Sequence, residues 1–195
     1  MITGTLDTAD VAKLIRKRLG VRFPLARFNV HTKRFAGGSE VSIRWTDGPR
    51  GKDVEAEVKP FEGKGFDGSI DLAYSNEIWL LPDGSAQFAA TRGTEGSGGT
   101  VREQVTDAPH PNAVLVKTSC WVNCSRDISE MDRKEGEATA YIVEHCNIDS
   151  APPMNYAKFG NQYVSNLARN MVYDRASTDA DWVPAFRRIV RREEV

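Results

Sequence analysis

The sequence predicts an α+β fold: an N-terminal helix-strand-strand-helix-strand module, then further strands and two C-terminal helices. Three observations carry this prediction. Apolar residues step at helical spacing near both ends (Val11, Leu14, Ile15, Leu19; Phe159, Tyr163, Leu167, Met171), and alternate at period two between them (Val41, Ile43, Trp45). Turn signals such as Gly37-Gly38, Asp47-Gly48-Pro49 and Pro82-Asp83-Gly84 separate the segments. At 195 residues, with 40% hydrophobic and 27% charged, the chain has the make-up of one globular domain or two small ones.

Asp7 or Thr8 can cap the first helix, since a short side-chain oxygen satisfies the orphan amides of the first turn. That helix is expected to run to about Leu19 and to end at Gly20. Lys13, Arg16 and Lys17 share its polar face, with Arg18 and Arg22 nearby. Such a patch is either ordinary solvated surface or a phosphate contact. Two strands follow, over residues 26–34 and 40–45, joined through Gly37-Gly38 as a hairpin. His31, alone on the polar side of the first strand, reads as a surface residue.

Pro49 suits the first turn of a helix over about 51–61, in which Val54, Val58 and Phe61 make one apolar face. Gly63 to Gly68 then matches the literal pattern GxGxxG. A dinucleotide site needs those glycines after a strand and before a helix, and here they follow a helix. They read instead as a conformationally demanding loop, with Asp67 as a loop cap. Strands are expected over 69–81, 85–90, 114–124 and 138–148, the last with a start that could also be helical. Gly93 to Gly99 and Pro109-His110-Pro111 are interruptions, and Pro152-Pro153 separates a final part with a helix from about Tyr156 and another from about Asp179. The last helix presents Trp182, Phe186, Ile189 and Val190 on one side and Arg187, Arg188, Arg191 and Arg192 on the other. That cluster either complements a helix C-terminus or contacts a partner.

The net charge of -1 conceals segregation: 12 Lys/Arg against 7 Asp/Glu over residues 1–60, 7 against 15 over 61–150, and 7 against 5 over 151–195. Basic ends around an acidic middle fit internal pairing, a nucleic-acid face or an acidic partner-binding face. Three cysteines, an odd number in a chain without an export signal, fit reduced thiols rather than a disulfide framework, and the same lack of an export signal makes chance the best reading of the sequon at Asn123. Cys120, Cys124, His145 and Cys146 lack the close thiolate pair of a zinc site and read as core residues. Glu62, Asp67 and Asp71 lack the dense oxygen spacing of a calcium loop. No cofactor or metal is expected, and no catalytic constellation is evident. No apolar run approaches the ~20 residues that cross a bilayer, and the N-terminus lacks a secretory pattern, so a cytoplasmic protein without a membrane partner is expected.

The blocks SIRWTDGP, VEAEVKPFEGKGFDGSIDL and WLLPDG resemble a family of large polyvalent protein-associated domains, the class numbered twenty-nine, over about residues 8–84. Trp45, Asp47, Phe66 and Asp67 mark the family; no catalytic residues come with it. The resemblance implies a protein of bacteriophages or conjugative elements, placed in the cytoplasm of a bacterial host. Residues 1–84 are then one module and 85–195 a strand-and-helix region, packed on it as one unit or folded apart. The expected function is non-enzymatic counter-defence through binding of a host defence protein or ribonucleoprotein complex, as in an anti-CRISPR inhibitor. The alternative is a nucleic-acid-binding accessory protein of DNA transfer or replication, contacting DNA or RNA through Lys13, Arg16, Lys17, Arg187, Arg188 and Arg191.

Overall fold

The computed structural model describes residues 4–67, 71–91, 106–146, 148, 158–159, 162–176, 179 and 181–190. It has the predicted α+β character. Two compact units divide it: residues 1–45 with 52–125, and residues 46–51 with 126–195. The division falls well past residue 84, and the turn at 46–51 belongs with the C-terminal unit.

The first unit opens with β1 (Gly4–Thr5) and α1 (Thr8–Arg22). The Asp7 carboxylate caps α1 by accepting the Asp10 amide at 2.8 Å. The helix passes through Gly20 rather than ending there. A helical glycine weakens a helix without breaking it, and the last turn closes with the Phe23 amide on the Leu19 carbonyl at 2.8 Å. β2 (Asn29–Phe35) and β3 (Gly38–Thr46) pair antiparallel from Asn29↔Arg44 to Phe35↔Gly38, leaving a two-residue turn where Gly37 takes φ +88°. α2 (Gly51–Val58) and a 3-10 turn (Lys59–Phe61) bury Val54, Val58 and Phe61 as the spacing requires.

The expected glycine-rich loop is in part a strand: β4 (Lys64–Asp67) pairs with β5 (Leu72–Leu80) from Lys64↔Ser75 to Asp67↔Leu72. Gly63 is needed for closeness rather than for dihedral freedom. A Cβ there would stand 1.9 Å from Thr118 Oγ1 and 2.2 Å from the Thr118 carbonyl carbon. β5 also pairs antiparallel with β6 (Ala86–Thr91) and β7 (Val114–Lys117), and β7 holds β1 in parallel. The run 114–124, expected as one strand, is two. β7 lies in this five-stranded sheet, whereas β8 (Trp121–Asp127) joins the three-stranded sheet β2-β3-β8. At the change of sheet the Thr118 hydroxyl donates to the Phe61 carbonyl at 3.1 Å, and the Gly63 amide to the Cys120 carbonyl at 3.1 Å. These bonds satisfy backbone groups that leave one ladder before entering the next. The core gathers Val11, Ile15 and Leu19 of α1, Val41, Ile43 and Trp45 of β3, and Val54, Val58, Phe61, Ile78, Val116 and Val122.

In the second unit, the segment expected as a strand over 138–148 belongs to α3 (Met131–His145). Ala138 and Ile142 are buried one helical turn apart, while Asp132, Arg133, Glu137 and Glu144 stay exposed. That spacing, in a segment rich in helix formers, outweighs the short run Tyr141-Ile142-Val143. Phe159 and Tyr163 lie not on a helix but on β9 (Lys158–Phe159) and β10 (Gln162–Tyr163), an antiparallel pair. α4 (Val164–Asp174) begins only after them, and α5 (Val183–Val190) follows. Ala138, Ile142, Val164, Leu167, Met171, Val172, Trp182, Ala185 and Ile189 form this unit's core. The Gly93 to Gly99 stretch, Pro152-Pro153, Tyr156, Arg191 and Arg192 lie outside the described residues. No described helix is long and apolar enough to cross a membrane.

Candidate functional site

The basic residues picked out on α1 have different surroundings. Lys13 pairs with Asp10 at 2.9 Å, and Arg16 donates to the Val30 carbonyl at 2.7 Å. Arg18 reaches Glu57 at 2.7 Å and Asp83 at 3.2 Å, and Arg22 also takes Glu57, at 3.0 Å. Lys17 is exposed and enters no ion pair among the described residues. On α5, Arg187 is exposed, whereas Arg188 binds the carboxylates of Asp174 and Asp179 and the Asp174 carbonyl. The two clusters belong to different units. Two further cations, Lys33 and Arg44, were not singled out in the sequence. The register of β2 on β3 puts His31, Lys33 and Arg44 on the face opposite Val30 and Ile43, all three exposed. Strict alternation along both strands is the signal that marks them.

Of the family-marking residues, Trp45 is buried and meets the Phe28 ring at 5.6 Å between centroids. Phe66 and Asp67 lie on β4, with side chains outside the described set, so the capping role expected of Asp67 falls there too. Asp47 has the most elaborate surroundings. It adopts φ +55°, a left-handed conformation that aspartate tolerates better than most residues. Its amide donates to the Asp127 carbonyl at 2.8 Å. Its carboxylate accepts the Ser129 amide at 3.2 Å, the Ser129 hydroxyl, and Lys134 Nζ at 2.7 Å. Burial pushes the Asp47 carboxyl upward, but the hydrogen bonds from Lys134 and Ser129 outweigh it and leave the group below its ordinary value.

Beside this knot Arg126 donates to four carbonyls: Asp47 at 2.8 Å, Gly48 at 3.2 Å, Tyr173 at 2.8 Å and Arg175 at 2.9 Å. The last carbonyls of a helix have no partner within it, and Arg126 and Arg188 supply donors at the end of α4. Asp47, Arg126, Lys134, Arg175 and Trp182 line a cleft of about 200 Å³ within the second unit. Arg175 stacks on the Trp182 ring at 4.4 Å and donates to the Asp179 carbonyl at 3.0 Å.

The cysteines are held as thiols. Burial pushes Cys120 up to about 11 and Cys124 up to about 12. Neither is a thiolate at neutral pH, the form that attacks or ligates. His145 lies against Tyr141, its ring stacked at 4.0 Å and Nδ1 2.9 Å from the Tyr141 carbonyl. Among the described residues, no group of three His, Cys, Asp or Glu is gathered for a metal ion.

No curated protein and no solved structure matches the chain. Residues 6–96 do match a family model, reaching past residue 84 into β6 and taking in Trp45, Asp47, Phe66 and Asp67. The matched model is that of large polyvalent protein associated domain 29, and a domain of this kind suggests a protein associated with phages or other mobile elements.

Proposed function

We propose that the chain acts in counter-defence, as a non-enzymatic protein that binds a host defence complex, with a CRISPR ribonucleoprotein as the type of target. The family match supports the setting. What supports binding rather than chemistry is how the reactive side chains are used. Cys120 and Cys124 are kept protonated by burial. Ser129 gives its hydroxyl hydrogen bond to the Asp47 carboxylate, and that same carboxylate engages the Lys134 amine at 2.7 Å. Exposed charges such as Asp132 and Glu144 on α3 give a partner an acidic surface to read. The test is target cleavage by purified CRISPR effector complexes, with co-elution of the chain on size exclusion. Loss of cleavage with co-elution is expected, and weakening of about tenfold in an Asp132→Lys, Glu144→Lys variant. Unaltered cleavage and no co-elution across effector classes overturn the reading.

The outer face of the β2–β3 hairpin favours one second reading, nucleic-acid binding during DNA transfer or replication. His31, Lys33 and Arg44 there are exposed, with Glu40 the neighbouring acid. A phosphate contact of this kind predicts nonspecific DNA affinity that falls steeply with salt, and a shallower salt slope in Lys33→Ala, Arg44→Ala. No DNA binding at low salt removes it.

A further inference from the structure

β2 is the terminal strand of the sheet β2-β3-β8, and every residue of it except Val30 is exposed. An antiparallel strand directs its backbone groups alternately toward and away from its partner. The two-residue turn closes on Phe35↔Gly38, so Phe35, Lys33 and His31 exchange bonds with β3, and the N–H and C=O groups of Val30, Thr32 and Arg34 face the other way. Arg16 agrees with this direction, since it donates to the Val30 carbonyl at 2.7 Å. Among the described residues, the outward groups of Thr32 and Arg34 take no hydrogen bond. They present two donors and two acceptors by turns along an open edge.

The charges beside that edge favour an acidic visitor. Lys33 and Arg44 are exposed and enter no ion pair among the described residues. Arg16 bonds a neutral carbonyl, so its charge is not offset there. Arg34 is exposed too, within electrostatic reach of the Asp7 carboxylate that caps α1. The other acid is Glu40, opposite Lys33, which accepts the Asn123 amide at 3.0 Å. A second copy of the chain is a poor occupant, because antiparallel pairing of β2 with itself sets Lys33 and Arg34 against the same cations. We propose that the free edge of β2 takes up an extended acidic segment of a partner protein as an added strand. Main-chain bonds to Thr32 and Arg34 hold the segment, and its carboxylates meet Lys33 on one face of the sheet and Arg34 on the other. A nucleic-acid backbone offers acceptors alone and leaves the outward carbonyls unmet. The edge lies in the first unit, and its use does not depend on which complex the chain targets.

The test is nuclear magnetic resonance on the isotope-labelled full chain, with hydrogen exchange read amide by amide. In the chain alone, the Thr32 and Arg34 amides are expected to exchange fast and those of His31 and Lys33 slowly. Slow exchange at Thr32 and Arg34 before any addition means a covered edge and overturns the proposal. The probe is a peptide of alternating glutamate and valine, set against a lysine–valine peptide, the glutamate peptide N-methylated on alternate amides, and a DNA duplex. The glutamate peptide is expected to bind at about 1 mM or tighter, with new protection at Thr32 and Arg34. The lysine and N-methylated peptides are expected to be at least about tenfold weaker. Thr32→Pro removes an outward donor where an edge strand tolerates proline, and should weaken the glutamate peptide about tenfold while the Lys33 amide stays protected. If that variant loses its fold, Lys33→Gln decides, with a loss of about threefold expected. No new protection at Thr32 and Arg34, equal binding of either control peptide, undiminished binding in the deciding variant, or DNA acting at the edge where the peptide does not overturns the proposal.

Discussion

Ile15, Leu19, Ile43, Phe61 and Ile78 fill the core of the first unit, beside a point where the backbones at Gly63 and Thr118 come together. The second unit fills its core with Ala138, Ile142, Leu167, Met171 and Trp182 and closes the end of α4 with arginines bound to carbonyls. Side-chain ion pairs occur in both, as in Arg18–Glu57 of the first unit and Lys134–Asp47 of the second. In the second, Arg126 and Arg188 also reach main-chain oxygens at the end of α4 that helical hydrogen bonding leaves over. The difference comes from composition of elements: strands satisfy their carbonyls sideways in ladders, whereas short helices leave carbonyls at their ends. The first unit should therefore be most sensitive to volume, and the second to the loss of a donor.

Gly63→Ala tests the first half of that contrast. The added methyl collides with the Thr118 backbone, which cannot swing aside as a flexible side-chain tip would. A loss of about 4 kcal/mol or more is expected in urea unfolding, enough to prevent folding of the first unit. Arg126→Met keeps the aliphatic stem and removes the donors to four carbonyls. A loss of about 2–3 kcal/mol is expected, read as faster hydrogen exchange in α4 while amides of α1 keep their protection. Equal loss of protection in α1 would contradict separate stabilisation. The smallest effect is that of pH on Asp47. Its folded carboxyl lies below the ordinary 3.8, so its contribution is complete above that value and fades as pH falls through the lower, folded value. Asp47→Asn should lose about 1 kcal/mol at pH 7, and the gap to wild type should narrow steadily below pH 3.8. A gap that is constant with pH would mean that shape rather than charge holds the turn.

The sequence by itself determined the α+β class, the cap at Asp7, the β2–β3 hairpin, the buried face Val54-Val58-Phe61 and the family stretch around Trp45. Each rests on a signal within a few residues: a cap, a turn glycine, a period of two or 3.6. Only the tertiary structure decided that 114–124 divides between two sheets: the short polar stretch Lys117-Thr118-Ser119 carries no turn signal of its own, and the break is set by partners at Phe61 and Gly63. The same holds for α3, where a β-branched run lies inside a helix whose buried turn packs with α4 and α5. It holds most of all for the site. Asp47 finds Arg126, Ser129 and Lys134 from 79 to 87 residues away, and Arg16 and Arg188 lose their freedom to a carbonyl and to two carboxylates. A local pattern shows which face of an element is polar; which of its charges are already engaged depends on groups that only folding brings within 3 Å or so.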